Sequence, residues 1–234
     1  MQLYYHPSID EKTTSFYFDK EESKHLIRVL RKSTGDTIQI TNGKGLFFTG
    51  EMINSEEKKC QISVINIEKN EKHWPYYLHI AIAPTKMNDR MEWFIEKATE
   101  IGVDEITPVI CSRSERKEIK TERLVKVAVS AMKQSLKCTL PKINEPISFI
   151  NFIKKNPDGI KLIAHCEESN KTELNKLEKK EKYTVLIGPE GDFSAAEIDL
   201  ALQHQFNPLS LGKSRLRTET AGVYVCNAIS LINS

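Results

Sequence analysis

The sequence predicts an α/β protein: a largely parallel sheet covered by helices on both faces, preceded by a small β-barrel. Three observations predict it. From residue 77 onward, short apolar runs alternate with amphipathic helical patterns, the signature of βα units. Residues 1 to about 70 instead hold several short strand candidates with tight turns, which suggests a barrel. Between them lies a polar stretch at 68–76, Glu-Lys-Asn-Glu-Lys-His-Trp-Pro-Tyr, which reads as a linker. The expected domains are therefore residues 1–72 and 73–234.

In the first domain, residues 14–18 and 37–41 are strand candidates, and Asn42-Gly43 is a hairpin-turn dipeptide. Residues 46–53 and 60–67 follow as longer strands with partial alternation. One helix interrupts them at 21–31, with His25, Leu26, Val29 and Leu30 on its apolar side. Lys24, Arg28 and Arg31 stand at i, i+4 and i+7, with Lys32 adjacent. Such a cluster suits phosphates, whose neutralisation releases counterions. Three cations at helical spacing equally describe a solvated helix face.

In the second domain, residues 77–83 form a strand ending at Pro84. Asp89 with Glu92 is expected to cap a helix that carries Met91, Phe94, Ile95, Ala98 and Ile101 and stops at Gly102. A strand at 105–111 and a helix at 121–136 follow, the helix with Leu124, Val127, Ala128, Ala131 and Ser135 on one side. The segment between them holds Arg113, Arg116, Lys117, Lys120 and Arg123, a basic loop suited either to RNA or to solvent. Residues 161–166 are another apolar strand, and the highly charged 167–182 reads as a surface loop and helix.

Two stretches near the C-terminus carry most of the functional information. Ile187-Gly-Pro-Glu-Gly-Asp-Phe-Ser194 follows a strand at 184–187, and Leu211-Gly-Lys-Ser-Arg-Leu-Arg-Thr-Glu-Thr-Ala221 follows a strand at 208–211. Ser194 and Glu197 form a capping box, so a helix starts after Ser194. Gly188 and Gly191 permit positive φ and close backbone approach, and Pro189 stiffens the turn. Thr218 is a reasonable N-cap for the last helix, and Glu219 suits its dipole. Ligands of open α/β sheets bind at the C-terminal ends of strands, so the two stretches read as two walls of one pocket. A phosphate nest fits poorly: Glu190 and Asp192 would repel it, and no Lys follows as in a P-loop.

Together the two stretches resemble the terminal motifs of the RsmE family of ribosomal RNA uridine-N3 methyltransferases, within the SPOUT superfamily. That family carries Gly-Pro-Glu-Gly-Gly-Phe, then Leu-Gly-x-Arg-Ile-Leu-Arg-Thr-Glu-Thr-Ala. This chain departs at Asp192 and at Ser214-Arg215. Glu96–Val103, Ser112–Arg116, Ser130–Ser135 and the His25–Asp36 region are similar to further blocks of the family, so the resemblance covers nearly the whole chain. It implies a SPOUT-type trefoil-knotted α/β domain with a small N-terminal PUA-like β-barrel that binds RNA. It implies S-adenosylmethionine as cofactor, methylation of uracil N3 in small-subunit 16S ribosomal RNA, the small ribosomal subunit or its RNA as partner, and a homodimer. The apolar Val223, Tyr224 and Val225 on the last helix are a motive for that dimer.

Carried onto this sequence, the cofactor-binding candidates are Ile187, Gly188, Pro189, Glu190, Gly191, Leu211, Gly212, Leu216, Arg217, Thr218 and Ala221. The RNA-binding candidates are Lys24, Arg28, Arg31, Arg113 and Arg116. Methylation of uracil N3 requires loss of its proton. Arg217 beside the uracil oxygens would stabilise the negative ring, and Glu219 would either accept the proton or orient the arginine. A non-catalytic RNA-binding or ribosome-assembly factor and a ribose 2′-O-methyltransferase are the alternatives.

Composition constrains the rest. The net charge of +2 gives no whole-protein field toward nucleic acid, so a basic footprint must be local. The five cysteines are odd in number and lack CxxC spacing, against a disulfide framework or a zinc site, and no metal is expected. A reducing, cytoplasmic location is expected. No run is long and apolar enough for a membrane span, and residues 1–7 lack a signal-peptide pattern.

Overall fold

The computed structural model describes residues 2–234, which form two compact units. One is built from the chain up to His73 together with Met132–Leu140; the other from Trp74–Ala131 and Pro141–Ser234.

The first unit contains β1 (Leu3–Tyr5), β2 (Ser15–Tyr17), α1 (Lys20–Lys24), β3 (Thr37–Thr41), β4 (Leu46–Met52) and β5 (Gln61–Lys69). The sheet order is β1-β3-β4-β5-β2. All pairs are antiparallel except β1 with β3. A register shift at Thr49/Gly50 marks a bulge, and bulges bend a strand and increase its twist. The sheet encloses Tyr4, Phe16, Phe18, Leu26, Ile40, Phe48 and Ile62.

The expected single helix at 21–31 is not formed. Asp19 caps α1, its carboxylate accepting from the Glu22 amide at 2.8 Å. After five residues the chain switches to a π-turn, His25–Val29, and Arg31 leaves it with φ 53°. A π-turn breaks the 3.6-residue phase, so Lys24, Arg28 and Arg31 do not form one helical stripe. Arg28 instead pairs with Glu57 at 2.6 Å.

The second unit contains β6 (Tyr77–Ile82), α2 (Asn88–Ile101), β7 (Glu105–Ile110), all but the last three residues of α3 (Thr121–Gln134), β8 (Lys142–Ile143), β9 (Ile147–Ser148), α4 (Phe149–Lys154), β10 (Ile160–Ala164), β11 (Thr172–Glu173), β12 (Lys182–Ile187), α5 (Ala195–Gln203), β13 (Asn207–Ser210) and α6 (Thr218–Asn233). Its sheet is parallel throughout, in the order β11-β13-β10-β12-β6-β7-β8, with β9 also on β7. Ile80, Ile82, Leu162, Ile163, Val185 and Leu186 are buried, as expected for strands covered on both faces. Helices α2 and α6 pack on one another, as do α4 and α5.

Three local expectations change. Helix α2 has Met87 at its N-cap with no side-chain cap; Glu92 pairs with Arg123 instead. Residues 167–182 hold β11 and a single 3-10 turn, Leu174–Lys176, because buried Leu174 ties the segment down. Helix α4 was not anticipated; Ser148 caps it, and Phe149, Phe152 and Ile153 bury against the core.

A buried polar network lies along β6 and β7. Glu105 accepts from the Tyr77 hydroxyl and the Asn144 amide, each at 2.6 Å, and His79 Nε2 lies 2.7 Å from Thr107 Oγ1.

The order of the last elements decides where a site can form. β13 lies outside β10, yet α6 packs against β6, β12 and α2. Residues 211–217 therefore carry the chain back across the ends of β10 and β12.

Candidate active site

The parallel register aligns three strand ends. Ala164 of β10 pairs with Ile187 of β12 on one side and Leu209 of β13 on the other. The loops leaving these strands enclose a cavity of about 630 Å³. The sequence marked two walls, the loops after β12 and β13. The third, His165, Cys166 and Lys171 after β10, carries no glycine or motif. Its only signal was the apolar run that makes β10 a central strand with a C-terminal end beside the others.

Ile187, Gly188, Pro189, Glu190, Leu211, Gly212, Leu216, Arg217, Thr218 and Ala221 line the cavity. Gly191 does not. Its carbonyl accepts from Arg113 Nη1 at 3.1 Å, and a Cβ there would touch Arg113 at 3.4 Å. Neither Gly188 nor Gly191 adopts positive φ; the left-handed residues of the two loops are Asp192 (φ 62°) and Gly212 (φ 104°). Asp tolerates that region better than most residues. Its carboxylate also accepts from the amides of Phe193 at 2.8 Å and Cys166 at 2.7 Å. Asp192 thereby latches the β12 loop to the β10 loop.

Helix α5 begins as expected. Ser194 and Glu197 form a capping box. Glu197 further accepts from the Ser112 amide at 2.8 Å and the Ser112 hydroxyl at 2.9 Å. Burial pushes the Glu197 carboxyl up, but these hydrogen bonds outweigh it and hold the group below the usual range. Arg113 donates to the carbonyls of Gly191 and Phe193, each at 3.1 Å, so it braces the loop from outside the cavity. Arg116 donates to the Glu118 carbonyl at 2.7 Å. Neither guanidinium is as free as a solvated basic loop would make it.

At the start of α6 the N-cap is Arg217 rather than Thr218. Thr218 is the first helical residue, and its hydroxyl donates to the Gly188 carbonyl at 3.0 Å, joining the two motifs. Arg217 is exposed at the cavity. Glu219 is not with it. Arg217 still has extended backbone, whereas Glu219 lies in the first helical turn, so the two side chains are not held on one face. Glu219 is buried, 3.8 Å from Arg90 of α2, and its Oε2 has no hydrogen-bond partner. It contributes nothing to the cavity lining among the described residues.

Two further lining groups hold buried atoms without partners. Glu190 accepts from the Lys86 amide at 3.0 Å through Oε1, while its Oε2 has none. His165 is 8 % exposed with neither ring nitrogen bonded. Burial first, then Lys171, holds its pKa below the ordinary value, so the ring is neutral near pH 7. Burial likewise keeps the Cys166 thiol protonated.

A family model for the RNA methyltransferase domain matches residues 72–230, and a model for the RNA methyltransferase PUA domain matches residues 18–65. The chain belongs to the RNA methyltransferase family. Among curated relatives, ribosomal RNA small subunit methyltransferase E of Bacillus subtilis is 29 % identical over 234 residues, covering 94 % of this chain and 91 % of the relative. A crystal structure of a probable rRNA-methyltransferase from Porphyromonas gingivalis superposes with a TM-score of 0.93 at 41 % identity, covering 100 % of this chain and 98 % of that one. Ribosomal RNA small subunit methyltransferase E of Neisseria gonorrhoeae, bound to S-adenosyl methionine, gives 0.86 at 26 % identity over 99 % and 97 % of the two chains.

This RNA methyltransferase therefore has the fold class its motifs implied, that of SPOUT rRNA methyltransferases: a mixed α/β domain with a curled, PUA-like sheet. The resemblance to the RsmE family holds across both halves.

Proposed function

We propose that this chain transfers a methyl group from S-adenosylmethionine to uracil N3 in small-subunit ribosomal RNA. The observation that carries the reading is the cavity walled by the loops after β10, β12 and β13, with both sequence motifs in its lining. The residues fit the cofactor. The volume suits a molecule of its size, and a cleft of mixed backbone and apolar surface with a few polar groups is the usual form of such sites. Buried polar atoms left unpaired at Glu190 and His165 are costly unless a ligand or water satisfies them.

S-adenosylmethionine, when bound, supplies the activated methyl group. The strand ends at Ile187 and Leu211 and the backbone at Gly188 and Gly212 would hold it, with Leu216 and Ala221 as apolar wall. Arg217 would face the acceptor and stabilise the negative uracil ring. The placement of Glu219 beside Arg90 argues against both of its expected roles, since it neither reaches the cavity nor orients Arg217. Arg217→Ala is expected to lower single-turnover methylation at least 100-fold while changing S-adenosylmethionine affinity by less than about threefold. Near-normal turnover in that variant would remove Arg217 from the chemistry. Mapping methylated nucleotides in ribosomal RNA with and without the gene tests the reaction itself, and ribose rather than base methylation would favour the 2′-O alternative.

Residues 1–72 would act as the RNA-binding PUA-like domain and 73–234 as the catalytic domain. Lys24 and Arg31 remain exposed for phosphate contact, whereas Arg28 would exchange its pairing with Glu57. A homodimer would use α6, on which Tyr224 is 46 % and Leu231 66 % exposed; Val225 is committed to the chain's own core. The cytoplasm, where small ribosomal subunits are found, is the proposed location. All five cysteines are free, and no helix among the described residues is long and apolar enough to cross a membrane.

A further inference from the structure

We infer that the strap leaving β13 is a phosphate clamp, in which Lys213 and Arg215 hold the RNA backbone beside the target nucleotide while Arg217 is left for the base. The inference rests on the proposed RNA substrate. Lys213, Arg215 and Arg217 occupy alternate positions in a five-residue stretch, all exposed and all at the cavity. None of the three enters an ion pair among the described residues.

Other cations of the second unit are paired with carboxylates. Lys86 pairs with Glu115, Arg90 with Glu219 and Arg123 with Glu92. Two carboxylates do line the cavity, yet neither neutralises the strap. Asp192 turns both oxygens to backbone amides, and Glu190 turns one to the Lys86 amide. Among the described residues, the side-chain hydrogen bond that the strap's cations make is long, Arg215 Nη2 donating to the Glu190 carbonyl at 3.3 Å.

Three unneutralised cations so close together repel one another. A polyanion relieves that repulsion, and condensed counterions released from it add to the gain. The cofactor cannot supply the compensation, because it carries one carboxylate against a sulfonium and an ammonium. The basic loop at Arg113 and Arg116, which the sequence left open between RNA and solvent, is turned to backbone carbonyls. Ser214 and Leu216 separate the cations, so each can meet a different phosphate.

The test is binding of unmodified small-subunit ribosomal RNA, transcribed in vitro, to the full chain across a salt series, with calorimetry against S-adenosylmethionine alongside. For Lys213→Gln/Arg215→Gln the slope of log K against log salt should flatten by about 1.4, or about 0.7 for each single-stranded phosphate that is no longer neutralised. Arg215→Lys should keep the wild-type slope, since it keeps the charge. An unchanged slope in the double variant overturns the clamp. So does a loss of cofactor affinity as large as the loss of RNA affinity, which would make the strap a cofactor wall. Failure of the wild-type chain to bind S-adenosylmethionine, with the salt slopes behaving as expected, would sink the methyltransferase reading and leave the clamp standing.

Discussion

Asp192 does two jobs that pull on different parts of the residue. Its backbone sits at φ 62°, where a Cβ is a cost, and its carboxylate joins the β12 loop to the Cys166 amide at 2.7 Å. The related family carries glycine here, which meets the first demand and not the second. Asp192→Gly should therefore relax the backbone and lose the latch, and Asp192→Ala should lose the latch while keeping the strain. A hydrogen bond to a charged group contributes about 1.5–3 kcal/mol, and left-handed backbone costs about 1–2 kcal/mol. Chemical denaturation should rank Gly above Ala, with Ala about 1.5–3 kcal/mol below wild type and Gly nearer to it. Ala as stable as Gly would mean that the loop gives up the left-handed turn once the latch is cut.

Helix α6 shows what sequence pattern can and cannot reveal about an element. Its apolar periodicity marked the helix, and Leu211–Ala221 marked its approach. Gly222 carried no such signal, because its reason lies on α2: a Cβ there would stand 2.5 Å from the Phe94 ring and 3.1 Å from Ile82. Gly222→Ala should cost about 1–3 kcal/mol by overpacking, against the usual gain from removing a helical glycine. Adding Phe94→Leu should recover part of it, and a thermal melt of the double variant decides. The strands were legible because burial on both faces leaves continuous apolar runs, as at Ile80–Ile82 and Val185–Ile187. The two motif loops were legible from glycine, proline and charge. The His165 wall was not, since its place follows from the β10–β12 register rather than from local sequence. The pairing of Glu219 with Arg90 was hidden for the same reason: sequence proximity to Arg217 said nothing about which way the helix turns the carboxylate.

At the scale of the whole molecule, the His79–Glu105 network should govern acid stability. Burial lowers the His79 pKa to about 4 against the neighbouring Glu105 charge. Burial opposes ionisation of Glu105 as well, but hydrogen bonds from Tyr77 and Asn144 and the charge of His79 hold its pKa at about 2. His79 binds a proton more readily when unfolded, so stability falls as pH drops from about 6.5 to about 4. Glu105 contributes stability that is full above its unfolded value and is lost from about 4.5 down to about 2. Urea unfolding across pH should show both, and His79→Gln should abolish the upper one and shrink the lower, which the His79 charge helps to set; a single step in the wild type would deny the network this role. A different consequence follows from the return of residues 211–217 across the ends of β10 and β12. The three loops leave three different strands, and a ligand touching all three must leave before the crossing can slip. Occupancy should then act as a lock on escape from the native state. S-adenosylmethionine at 100 times its Kd adds about 2.7 kcal/mol of equilibrium stability. If the lock is real, nearly all of that should appear as slower unfolding, about 100-fold, with the refolding rate unchanged.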